Sequence, residues 1–95
     1  MNKQSDSEEL YRRIYEIVNG GSALFAGIAG PFGIQRGLKE ELLKHGSIIS
    51  AKIAKEELLP EDVNAFFGLC QVSHANSVMS QSDVDALMLI LERNS

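Results

Sequence analysis

Cys70 and His74 stand four residues apart, one helical turn. On a helix such a pair could share a metal ion or form a thiolate–imidazole couple. The set stops there. The only other histidine is His45 and no second cysteine exists, so a zinc site would need carboxylates to complete it. The pair therefore reads as a buried thiol beside a histidine at the core edge. Glu40–Glu41 and Glu56–Glu57 are adjacent acids. Acids sharing a site can split their pKa values and work as acid and base. Consecutive helical residues, however, diverge by about 100°. Both pairs read as solvated faces, with Lys44 placed to reach Glu40 and Lys52 to reach Glu56. A calcium loop starting at Asp83 in QSDVD (81–85) would need glycine at its sixth position, where Met88 stands. No cofactor and no metal are expected.

GGSALFAGIAGPFG (20–33) is uncharged and unlike the rest of the chain. Gly27, Gly30 and Gly33, followed by Arg36, could suggest a phosphate cradle, but no strand precedes them and no P-loop lysine follows. The mixture of small and large apolar residues would also suit membrane insertion. Against that, the segment is short, bent at Pro31 and without a flanking basic cluster. The simplest reading is packing: Ser22, Ala26 and Gly30 recur every fourth residue and let a neighbouring backbone come close.

Residues 51–70 superficially resemble a helix-turn-helix. The second helix would have to enter the major groove, yet it carries Glu61 and Asp62 and no Lys or Arg. The chain's formal charge is −4, and after Lys55 its only Lys or Arg is Arg93. Phosphate would be repelled, so nucleic acid is not an expected partner.

The elements that must position these residues are helical. No alternating strand pattern occurs, and Leu, Ala, Met, Glu and Lys outweigh Val, Thr and Tyr. Ninety-five residues with 44% hydrophobic content make one globular domain. The expected class is all-α, a compact bundle of about five short helices, with residues 1–5 disordered. SDSEELYRRIYEIV (5–18) has Ser5 and Asp6 three residues before Glu8 and Glu9, the capping-box spacing. Segment 22–30 could form a short helix ending at Pro31. Segment 32–46 puts Ile34, Leu38 and Leu42 in line beside His45, with Gly46 as terminator. Segment 47–59 follows, its wheel interrupted by Lys52. Pro60 suits a first helical position, and Val63, Phe66, Phe67, Cys70 and His74 then share a face. Ser80 or Ser82 caps the last helix, 83–94.

With one cysteine there is no intrachain disulfide. The N-terminus shows no signal pattern. The expectation is a soluble cytoplasmic protein. No nucleophile has an adjacent base and orienting acid, so an enzyme is not expected. What remains is contact. Ala86–Leu91 is apolar on every side and must be covered on every side. Leu87 and Ile90 of that helix, Tyr11 and Tyr15 of the first, and Phe25 and Phe32 of the glycine-rich segment are the candidate partner-binding residues. The expected function is a small acidic protein–protein interaction module, a regulator, adaptor or inhibitor of a larger protein. Helix 83–94 could also build a homodimer. The alternatives are a membrane-associated protector of the immunity type acting through residues 22–33 and, behind it, a helix-turn-helix regulator.

Overall fold

The computed structural model describes residues 3–20 and 32–95. Among these the chain is all-α, with four helices and no strand: α1 (Lys3–Asn19), α2 (Phe32–Ala54), α3 (Pro60–Ala75) and α4 (Gln81–Glu92). The radius of gyration, 13.0 Å, is that of a compact domain of this length. The helix expected at 22–30 lies outside the described residues. Those expected at 32–46 and 47–59 are a single helix, α2.

Gly46 explains the difference. It does not stop a helix; it sits buried in the middle of α2, facing α1. A Cβ at this position would lie 2.7 Å from Cδ1 and 3.4 Å from Cγ2 of Ile14. A methyl here would have to push the end of the Ile14 side chain aside, so the bare hydrogen lets Ile14 lie directly against α2. Glycine inside a helix costs roughly 0.5–1 kcal/mol, and full burial of Ile14 contributes about 1.5–3 kcal/mol in the other direction.

The actual stops carry no glycine. Two residues beyond α2 stands Glu56, with φ 58°, and two beyond α3 stands Ser77, with φ 65°, both left-handed. Glu57 N–H donates back to the Lys52 carbonyl at 2.8 Å, and Val78 N–H to that of Ser73 at 2.8 Å. Glu56 and Ser77 themselves donate to Ile53 and His74, each at 3.0 Å. These two-bond caps satisfy last-turn carbonyls. Leu58 and Val78, just beyond, are buried and tie each stop to the core.

The helix starts follow the sequence more closely. Pro60 opens α3, and the Asp62 carboxylate accepts from Leu59 N–H at 3.0 Å. Ser80 caps α4: its Oγ accepts from Asp83 N–H at 3.1 Å while Asp83 accepts from Ser80 N–H at 3.2 Å. α1 departs from expectation. It is already helical at Lys3, so Ser5 and Asp6 lie within it and cap nothing.

Asp6 instead fastens α1 to the end of α4. Arg93 donates to both its oxygens, at 2.8 and 3.3 Å. Asn94 Nδ2 adds a third bond at 2.9 Å, and Lys3 Nζ donates to Asn94 Oδ1 at 2.9 Å. These hydrogen bonds, the guanidinium first, hold the Asp6 carboxyl below its usual range.

The core runs along the bundle axis. It is one buried cluster, to which α1 and α2 contribute Leu10, Ile14, Leu42, Ile49 and Ile53, and α3 and α4 contribute Val63, Phe66, Cys70, Leu87, Ile90 and Leu91. The stripe on α2 includes Gln35 and leaves Ile34 exposed. Gln35 Nε2 donates to the Asn76 carbonyl at 2.9 Å, joining α2 to the end of α3. On α3 the buried face is Val63, Phe66, Cys70 and Ser73. Phe67 and His74, expected on it, stand outside it.

Candidate interaction surface

The expected contact residues divide. Tyr11 and Tyr15 are exposed on α1, at 39% and 54%. Phe25 lies outside the described residues, and Phe32 enters only as the first residue of α2. Leu87 and Ile90 do not form a surface: they are core, at 0% and 2% exposure. The apolar run of α4 could not reveal this, because a helix apolar all round has no marked inside. Packing decides it. Leu87, Ile90 and Leu91 turn inward, Met88 is half-buried, and Leu89 is left 60% exposed.

Leu89 and Met88 form one wall of a groove of about 530 Å³, with Val63 and Phe67 of α3 on the other. α4 contributes Gln81, Asp85, Met88, Leu89 and Glu92, a single stripe along nearly the whole helix. At 1.5 Å per residue it is about 16 Å long. Phe67, 37% exposed, projects into it. Sequence reasoning missed Phe67 and Leu89 as surface residues. The signal was present in part: Phe67 lies 100° from Phe66 on any wheel, on the far side of Val63 and so at the margin of the buried face.

The charges along this groove have one sign. Asp85 and Glu92 stand at its edges, and among the described residues neither takes part in an ion pair. Gln81 Nε2 donates to one oxygen of Asp85 at 2.9 Å. No basic residue occupies the last turn of α4, so Glu92 adds to the negative end of the helix dipole.

Two other grooves differ. Between α1 and α2, about 430 Å³ is lined by Tyr11, Tyr15, Ser47 and Ser50 with Glu8 and Arg12 at its edge. Its charges are of both signs, and Ser7 Oγ closes its floor by donating to the Ser50 carbonyl at 2.7 Å. Between α2 and α3, about 370 Å³ is lined by Ile48, Ala65 and Leu69. Its edge groups are engaged: His45 Nε2 lies 3.0 Å from Glu41, and Lys52 Nζ 2.9 Å from Asp62. The pairing of Lys52 corrects the expected partner, Glu56, which lies past the helix end in the left-handed cap. Lys52 and the Leu59 amide hold Asp62 below the usual carboxylate range.

The residues that suggested chemistry do not assemble it. Cys70 is sealed in the core, and burial pushes its thiol up to about 12. His74 points away, its Nδ1–H donating to the Met79 carbonyl at 2.9 Å. Among the described residues no three His, Cys, Asp or Glu side chains group to hold a metal ion. No described helix is long and apolar enough to cross a membrane. Gly27 and Gly30 of the glycine-spaced motif lie outside the described residues, and Gly33 is exposed at the start of α2. Comparison with known proteins returns no match to a family model, a curated protein or a solved structure.

Proposed function

We propose that this chain is a small acidic interaction module of the cytoplasm that regulates, adapts or inhibits a larger protein by direct contact, without catalysis. One observation carries the reading. Large apolar side chains, Phe67 and Leu89, line an elongated groove that no described residue fills. Exposed apolar surface organised in a groove, and not scattered singly, is the mark of a binding face. The exposed tyrosines of α1 support a second point of contact, since tyrosine is enriched where partners anchor.

The test is affinity capture from the native host lysate, comparing the wild-type chain with a Phe67→Ser/Leu89→Ser variant of equal helicity. The expected result is a protein retained by the first and lost by the second. Identical captured sets would overturn the reading. The homodimer hypothesis needs a changed probe. Ile90→Glu would place a charge in the core and unfold the chain, whereas Leu89→Glu alters only the surface. Light scattering giving 10.4 kDa for wild type would remove it.

A further inference from the structure

We infer that the α3–α4 groove receives a basic amphipathic helix from its partner, one row of large apolar side chains flanked by Lys or Arg. This deepens the interaction-module reading and rests on it. Charge is divided sharply along the chain. Residues 1–55 carry eight Lys or Arg and six Asp or Glu, net +2; residues 56–95 carry seven Asp or Glu and one Arg, net −6. That one arginine, Arg93, is bound to Asp6 and Glu9. Lys52, the cation that reaches α3 from the other half, is bound to Asp62. The half that bears the open groove therefore has no cation of its own to set against Asp85 and Glu92.

A row of apolar contacts between unbalanced carboxylates defines its complement. An acidic segment would be repelled, and like charges brought together at an interface are strongly discriminated against. A neutral apolar segment would bury Phe67 and Leu89 but leave the carboxylates partly desolvated and unpaired. A basic amphipathic helix satisfies both. The stripe on α4, about 16 Å long, matches three helical turns, room for anchors at i, i+3 or i+4, and i+7. A compact small molecule would leave much of that length unused. Exposed ion pairs add little strength individually, so the apolar row supplies affinity and the carboxylates supply choice of partner and rate of encounter.

The experiment selects from a displayed library of amphipathic helices about five turns long, whose polar positions are free to be Lys, Glu, Gln or Ser, against the full chain. The expected result is enrichment of Lys beside the apolar row. Selected peptides should lose about tenfold in affinity with Leu89→Ser, and less with Asp85→Asn/Glu92→Gln, which should also flatten their salt dependence. Enrichment of acidic or neutral peptides, no enrichment, or indifference to Leu89→Ser overturns the inference. Each of these outcomes leaves groove-dependent capture from lysate standing, so the two readings fail separately. A photo-crosslinking phenylalanine in place of Leu89 covers the remaining occupants. Capture of a second copy, or of the chain's own residues 21–31, also overturns it.

Discussion

The two halves of this small bundle are built to different ends. α1 and α2 lie close enough that a Cβ at Gly46 would crowd Ile14, and the groove between them is edged by charges of both signs. α3 and α4 also bury an apolar interior, yet leave Phe67 and Leu89 lining an open furrow whose only charged residues are carboxylates. Hydrophobic content alone therefore does not tell core from contact surface. Both the tight α1–α2 half and the open α3–α4 half leave large apolar side chains exposed, Tyr11, Tyr15 and Ile34 in the first and Phe67 and Leu89 in the second. What separates them is charge, since of their two grooves only the α3–α4 one is edged by a single sign.

This contrast can be broken experimentally. The largest effect should come from the tight half: Ile14→Ala is expected to cost about 2–5 kcal/mol in urea unfolding. Next, Gly46→Val pushes a branched side chain into Ile14 and should cost about 1–3 kcal/mol. A neutral Gly46→Val would mean that the end of Ile14 moves aside without cost. The Asp6 clamp comes below these, and its signature is pH dependence. Asp6 and Asp62 both titrate lower in the folded chain than in the unfolded one. The stability they contribute is complete above the unfolded carboxylate value, about 3.9 for aspartate, and drains away as pH falls through the lower folded value. Asp6→Asn should therefore lower the melting temperature at pH 7 and flatten its fall in acid. Ser77→Gly relieves a left-handed residue at the end of α3 and should raise stability by about 0.5 kcal/mol, the relief offset in part by the extra freedom of glycine when unfolded. Smallest of all, Leu89→Ser should stay within about 0.5 kcal/mol of wild type. A loss as large as that of Ile14→Ala would mean Leu89 is core, and the contrast between the halves would disappear.

Much of the helical framework was legible because its signals are local. Pro60 and Ser80 mark helix starts by chemistry that needs no tertiary partner. The stops were not legible. Gly46 has the residue type of a terminator but serves the approach of Ile14, from a helix thirty-odd residues away in sequence. Glu56 and Ser77 perform the stopping, and nothing in a glutamate or serine announces a left-handed backbone. The buried sequels Leu58 and Val78 enforce it, and that is a tertiary effect. The same limit governed the candidate surface. In Ala86–Leu91 the inward and outward residues are chemically alike, so only the positions of α1 and α3 separate Leu87 and Ile90 from Leu89. The acid-rich second half, by contrast, was visible as the lack of cations after Lys55. Its meaning became spatial once Arg93 and Lys52 were seen to be engaged.

The sealed thiol of α3 gives the molecule a built-in clock. Cys70 is wholly covered and stays protonated at neutral pH, so an alkylating reagent can react only during moments when the helices around it part. The pace of labelling thus times the breathing of the α3–α4 pair with no foreign dye attached. A peptide lodged between those helices should slow that clock, and one that merely adheres elsewhere should not.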